Sequence, residues 1–251
     1  MRGALVTGAG MRIGRAFALA LAADGFFVFV HHNRSAAAAR ETVSAIVAAG
    51  GKAKAVKADL SSAKQAEALV GRCQAKAVHL ACLVNSASLF ELDRAPMATA
   101  AGFDRHMAVN LRAPLLLSQA LARQLPEKET GLIVNVLDQK LFNLNPDFLT
   151  YTLSKIGLQG LTTLLAQSFA PRLRVAGIAP GLTLRSGSQT DARFAKEHQE
   201  NPLGIGVTTE DLVRALRFVV ATPTYTGDVL IVDSGEHLTG RPRDIAFHKK
   251  K

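Results

Sequence analysis

Cysteine is scarce in this chain: only Cys73 and Cys82 occur, with no second cysteine pair or histidine cluster near them. That shortage excludes a disulfide framework and a zinc site, and it points to a reducing, cytoplasmic home. Long apolar runs are missing too. None approaches the roughly 18 residues of a membrane span, and no basic leader with a cleavage site precedes Ala4-Leu5-Val6-Thr7-Gly8. Neither secretion nor membrane spanning is expected. Internal repeats and low-complexity segments are absent beyond the alanine run Ala36 to Ala39, which reads as helix. A concentrated block of positive charge is also lacking, although the formal net charge is +10. Basic residues are spread along the chain, and the nearest thing to a run (Arg241, Arg243, Lys249, Lys250, Lys251) reads as a solvated or disordered tail, 241–251, after a domain of residues 1–240. The charge therefore suits solubility and anionic small ligands better than specific nucleic-acid binding.

What is present is an alternation of strand and helix over 251 residues, 48% of them hydrophobic, a length and composition that fit one α/β domain. Strands are expected near Ala4 to Val6, Phe26 to His31, Ala53 to Lys57, His79 to Val84, Ile133 to Leu137, Arg174 to Ile178 and Val229 to Val232. Helices are expected over Ile13 to Ala23, Ala36 to Ala49, Ala63 to Ala75, Ala101 to Leu125 in two pieces, Tyr151 to Phe169 and Glu210 to Val220. Ser62-x-x-Gln65 predicts a capping box, and Thr208 with Asp211 a weaker cap of the same type. Strict alternation argues for a single-domain, Rossmann-type, doubly wound parallel sheet with right-handed crossovers.

Three stretches carry candidate chemistry. Thr7-Gly8-Ala9-Gly10-Met11-Arg12-Ile13-Gly14 joins the first strand to the first helix, where glycines let backbone amides approach a pyrophosphate. After the second strand, His31-His32-Asn33-Arg34-Ser35 contains no acidic residue to hold the ribose hydroxyls of NAD. Arg34 and Ser35 would instead bind a 2′-phosphate and select NADPH, although Ser35 could also be a plain helix cap and Arg34 a surface charge. Asp138 closes the fifth strand, and Tyr151 and Lys155 follow four apart on one helical face. An ammonium beneath a phenol stabilises the phenolate, which would tune Tyr151 for proton transfer near neutral pH. Such a pair also arises by chance on many helices, so its weight comes from the other two stretches.

Together these motifs resemble the short-chain dehydrogenase/reductase family, whose fingerprint is Thr-Gly-x-x-x-Gly-x-Gly. The resemblance implies cofactor contacts from Gly8, Arg12, Ile13, His31, Arg34, Ser35, Asp59, Leu60, Asn85, Ala87, Tyr151, Lys155, Pro180, Gly181 and Leu182, and no metal. It implies catalytic roles for Tyr151, Lys155 and Asn110, the last as the helix asparagine that holds a water beside the lysine. Asp59 could equally serve as an N-terminal helix residue. Leu182 to Pro202 reads as a helical lid or as a long surface loop. Arg12 departs from the fingerprint, so either the turn is deformed or the guanidinium serves the site; its bidentate chemistry favours service. The larger departure is Asp138, thirteen positions before Tyr151, where the family has serine. A hydroxyl donates to a ketone oxygen gaining negative charge, whereas an ionised aspartate would repel it.

Arg12, His31, Arg34-Ser35, Ser88 with Phe90, and Asp138 with Tyr151 and Lys155 are together similar to the pteridine reductase branch, and to bacterial dihydromonapterin and dihydrofolate reductases of this fold. That resemblance covers nearly the whole chain. It implies hydride transfer from NADPH to a C=N bond of a pterin or dihydropterin, with Arg12, Ser88, Phe90, Asp138 and Tyr151 on the substrate. It further implies a homotetramer packed through Ala113 to Leu125 and Tyr151 to Phe169. The alternatives are a short-chain reductase for another carbonyl or imine, and a non-catalytic NADPH-binding or nucleic-acid-associated protein.

Overall fold

A computed structural model describes residues 1–73, 75–185 and 189–247. The apolar, β-branched runs form β1 (Arg2–Val6), β2 (Phe27–His32), β3 (Lys52–Lys57), β4 (His79–Asn85), β5 (Gly131–Val136), β6 (Leu173–Pro180) and β7 (Val229–Val232). All neighbours pair parallel in the order β3-β2-β1-β4-β5-β6-β7. The order reverses between β1 and β4, so the connections leaving their carboxyl ends diverge and open a crevice there. Ligand chemistry is thereby directed to the ends of β1, β4, β5 and β6.

Successive side chains of each central strand enter opposite layers. Val6, Val84, Val134 and Ala176 pack with Phe17 and Leu21 of α1 (Arg12–Ala23), Ile46 of α2 (Ala36–Ala48) and Leu212 and Leu216 of α8 (Thr209–Ala221). Leu5, Leu83, Ile133 and Val175 pack with Leu69 of α3 (Ala63–Arg72), Leu117 and Leu121 of α5 (Ala113–Gln124) and Leu165 of α6 (Leu149–Phe169). Burial on both faces explains the near-continuous apolar strands. Leu83 is fully buried, and truncating it to alanine would cost about 2–5 kcal/mol. The edge strand β3 instead exposes Lys52 and Lys57, which discourages further strand addition.

The expected strands and helices appear with their ends shifted by a few residues. The Ala101 to Leu125 helix falls into three parts: α4 (Ala100–Met107), a widened π turn at Ala108–Arg112, and α5. Pro114 near the start of α5 supplies no backbone N–H, so it favours a fresh helix start there. The two capping expectations exchange rank. Ser62 accepts from the Gln65 amide, but the Gln65 side chain turns to the amide of Asp59, so that box stays half made. Thr208 and Asp211 close theirs on both sides, because a carboxylate is the stronger acceptor for the cap amide.

Two further expectations are corrected. Of the lid segment, only α7 (Asp191–Glu197) is helical among the described residues, and 186–188 lie outside them. The basic tail is not solvated over 241–247, because Arg243 pairs with Asp147, Arg241 with Glu236, and Phe247 packs on Phe148. Residues 248–251 lie outside the description. Among the described residues no helix is long and apolar enough to cross a membrane, and no cluster of metal ligands forms.

Candidate active site

The glycine-rich turn is shaped by crowding. Gly8 has φ +66°, and a Cβ there would stand 3.0 Å from the Ala87 Cα, so both conformation and space demand glycine. Gly14 lies so close to the turn that a Cβ would meet the Gly8 carbonyl oxygen at 2.5 Å, which fixes the approach of α1. Met11 at the head of α1 makes no side-chain cap bond, and the first turn, including Ile13, contains no acidic residue. That leaves a helix positive end free of any built-in anion, behind a cradle too tight for side chains. These features fit the pyrophosphate of a dinucleotide.

His31 bonds the backbone of this cradle, and both of its ring nitrogens are engaged by protein. It is buried, its Nδ1 accepts from the Gly8 amide at 3.1 Å, and its Nε2 lies 3.1 Å from the Ala58 carbonyl. Only a neutral ring protonated at Nε2 satisfies both neighbours. Burial pushes its pKa down to about 4, consistent with that form. The imidazole braces the turn against the end of β3.

Arg12 both deforms the turn and spends its guanidinium. Its φ is +56°, a left-handed conformation costing roughly 1–2 kcal/mol for a side chain with a Cβ. Its guanidinium donates to the carbonyls of Arg185 (2.6 Å) and Leu184 (3.3 Å), tying the turn to the loop after β6. Of the two alternatives the structure shows the deformed turn, with the guanidinium on protein carbonyls. Arg34 is exposed, and Ser35 heads α2 without a side-chain cap bond, so both side chains are available to an anion. Asp59 is held below its usual range by bonds from Ser61, aided by the charge of Arg34 nearby; Leu60 is buried.

The loop after β4 is pinned from beneath. Thr7 Oγ1 accepts from the amides of Ser86 (2.9 Å) and Ala87 (3.0 Å). Asn85 donates to Asn135 at 2.8 Å, Asn135 to Thr162 at 2.9 Å, and Asn85 Oδ1 is buried without a partner among the described residues. Asn110 is fully engaged by protein. Its Oδ1 accepts from Leu89 N–H (2.8 Å) and the Ser88 hydroxyl (3.3 Å), and its Nδ2 donates to the Leu89 carbonyl and Ser154 Oγ, each at 2.9 Å. Its carboxamide therefore ties the Ser88–Phe90 loop to α6 and has no vacancy for the expected water.

Asp138 lies two residues past the end of β5, where its Oδ1 accepts from the Lys140 amide at 2.9 Å and starts a short turn, Gln139–Phe142. Its Oδ2 accepts the Tyr151 hydroxyl at 2.6 Å. Lys155 donates to the Val136 carbonyl at 2.7 Å, with its ammonium 5.7 Å from the Tyr151 ring centre. Burial above all, then the charge of Asp138 and the bond to it, raise the Tyr151 pKa well above the ordinary value. Burial also raises Asp138, and it lowers Lys155 to about 8. The expected lowering of the phenol by Lys155 is corrected accordingly, since the closer carboxyl and the dry surroundings outweigh the ammonium.

Phe90 is 46% exposed and lies edge-on to Tyr151, ring centres 4.7 Å apart. Its face stacks on Phe148 at 4.2 Å, and Phe148 takes a left-handed φ of +56° to enter α6. Pro180 ends β6, and Gly181 is pressed against Asp233 so closely that a Cβ would meet it at 2.8 Å. The Leu182 amide donates to Glu236 at 3.1 Å, and burial pushes Glu236 up to about 7. Glu236, Phe148 and Lys140 escaped the sequence reading. Glutamate, phenylalanine and lysine carry no motif at those positions, and only the folded chain brings them here.

A profile described as short chain dehydrogenase matches residues 2–197. An uncharacterized oxidoreductase of Methylorubrum extorquens is 34% identical over 240 residues, covering 92% of this chain and 96% of that protein. A 3-oxoacyl-acyl-carrier-protein reductase of Synechocystis is 30% identical over 236 residues, covering 92% and 95%. The crystal structure of FolM alternative dihydrofolate reductase 1 from Brucella canis, complexed with NADP, has a TM-score of 0.90 and 38% identity, covering 94% of each chain.

Proposed function

The chain belongs to the short-chain dehydrogenase family, and within it we propose an NADPH-dependent oxidoreductase that reduces a C=N bond of a pterin or dihydropterin. The observation that carries this reading is the carboxyl of Asp138 joined to the Tyr151 hydroxyl at 2.6 Å, where the family resemblance leads one to expect a serine. A carboxylate accepts N–H bonds, which a pterin offers in number and a simple ketone does not. The NADP complex of the Brucella dihydrofolate reductase supports the same choice of cofactor and substrate class.

NADPH, when bound, supplies a hydride to the carbon of the C=N bond. The residues of this chain supply the rest. The free head of α1 and the Gly8 cradle hold the pyrophosphate, and Arg34 with Ser35 holds the 2′-phosphate. Tyr151 gives its proton to the substrate nitrogen, balancing the hydride on carbon. Asp138 accepts pterin N–H bonds and keeps the Tyr151 hydroxyl oriented. Lys155, buried beside the phenol, secures the ribose and offsets negative charge left on Tyr151. Phe90 provides an aromatic face for the pterin, steadied from behind by Phe148. A homotetramer through α5 and α6 is part of the proposal, since Leu153, Ile156 and Leu164 stand exposed on α6; gel filtration tests it.

The second reading is a carbonyl reductase, favoured by the 3-oxoacyl relative and by the burial that raises Asp138, because a protonated carboxyl can donate to a ketone oxygen. NADPH oxidation measured with dihydrobiopterin and with a simple ketone separates the two. A larger kcat/KM for the pterin is expected; a larger value for the ketone replaces the first reading with the second.

A further inference from the structure

We propose that residues 241–247 are a built part of the active site and that Asp244 is a positioning residue for the Asp138–Tyr151 pair. This inference rests on the proton-transfer role proposed above for that pair. The segment is clamped from below by Asp147, which is wholly buried. Asp147 accepts from Arg243 Nε and Nη2, both at 2.8 Å, from the Asp244 amide at 3.0 Å, and from Arg94 Nε at 2.7 Å. Although burial opposes it, these donors hold the Asp147 carboxyl down at about 2, so the clamp stays charged across the neutral range.

The clamp delivers Asp244 to Lys140. The Asp244 carboxylate lies 3.3 Å from Lys140 Nζ, whose side chain is only 4% exposed and whose other partner is the Asn145 side chain. Lys140 in turn donates its backbone N–H to Asp138. The same segment also touches Phe148, Arg94, Arg193 of α7 and Glu200. Phe247 rests against Phe148, with ring centres 6.0 Å apart, and lies under the Arg94 guanidinium at 4.9 Å. Arg193 of α7 donates to the Ala246 carbonyl, and Arg241 to the Glu200 carbonyl. A solvated tail would make none of these contacts.

The titratable and charged groups around Asp138 are Tyr151 and Lys155 from α6, Asp244 from the C-terminal segment and Glu236 from the turn after β7, while Lys140 reaches it through its backbone N–H and turns its ammonium to Asp244. Buried Lys140 and half-buried Asp244 form an ion pair in which the ammonium offsets the Asp244 charge. Removing Asp244 takes away a negative charge that raises Asp138, which favours the ionised carboxylate. Removing Lys140 leaves the Asp244 charge uncompensated, which favours the protonated carboxyl. The two changes must therefore move Asp138 in opposite directions, whichever form of Asp138 the reaction uses.

The experiment compares kcat/KM against pH for wild type, Asp244→Asn, Asp244→Glu and Lys140→Met, with NADPH Kd and melting temperature measured alongside. The expected result is a downward shift of the Asp138 limb by roughly half a unit to one unit in Asp244→Asn, an upward shift in Lys140→Met, and recovery in Asp244→Glu. NADPH Kd should be unchanged. Profiles that coincide with wild type in the folded variants overturn the inference, and if Asp244→Asn does not fold, the Lys140→Met profile decides it. Profiles are taken with whichever of a dihydropterin and a ketone the wild type reduces. A wild type that turns over only the ketone defeats the pterin reading and leaves this test intact.

Discussion

The Tyr151 hydroxyl donates to Asp138 Oδ2 at 2.6 Å, while Lys155 turns its ammonium to the Val136 carbonyl at 2.7 Å. The phenol thus keeps its proton in the resting protein, and its partner is an acceptor that a substrate N–H can compete for. Lys155, lowered to about 8 by burial, still carries most of its charge at neutral pH and faces the phenol without bonding to it.

Tyr151→Phe keeps the ring that packs against Phe90 and removes the proton. Turnover should fall by about 10²- to 10⁴-fold with NADPH binding nearly unchanged, the pattern of a lost general acid. Steady-state kinetics with a fluorescence titration of NADPH checks both halves. Wild-type turnover in the variant would remove Tyr151 from that role.

Arg34→Ala should weaken NADPH by roughly 10- to 150-fold, because one charge-assisted phosphate contact is worth about 1.5–3 kcal/mol. NADH should hardly change, since it lacks the phosphate. Titrating both cofactors into both proteins is decisive; equal affinities in the wild type would sink the assignment.

Asp138→Ser should split substrates. Dihydropterin kcat/KM is expected to drop by roughly 10- to 150-fold through the loss of charge-assisted N–H bonds, while NADPH affinity holds and weak ketone activity is kept or increased. Paired measurements of kcat/KM give the ratio directly. Full pterin turnover in the serine variant contradicts the reading.

His31 makes stability depend on pH in a defined sense. Its folded pKa of about 4 lies below the ordinary 6.5, so its stabilisation is complete above about pH 6.5 and is lost as pH falls toward 4. About 3 kcal/mol is at stake, and protonation would also deny the Gly8 amide its acceptor. Urea unfolding of wild type and His31→Gln across that window should give a steeper pH slope for the wild type. Parallel slopes would show that the ring titrates normally.

The sequence alone determined what depends on neighbours along the chain. The parallel sheet was legible because strands buried on both faces must be apolar throughout, and the cradle because Gly8 and Gly14 leave no room for substitution. The spacing of Asp138, Tyr151 and Lys155 placed them together because a strand end and a helix face fix their directions. Tertiary structure decided which group satisfies which. The choice of Asp138 over Lys155 as partner of the phenol turns on a few ångströms of side-chain reach, which spacing does not resolve. The burial of His31 between Gly8 and Ala58, and the seating of Asp244 on Lys140 across 104 positions of chain, turn on loop closure. A basic run at a chain end looks solvated until a buried carboxylate such as Asp147 is found to receive it. Desolvation then sets the protonation states, and that depends on everything packed around a group rather than on its neighbours in sequence.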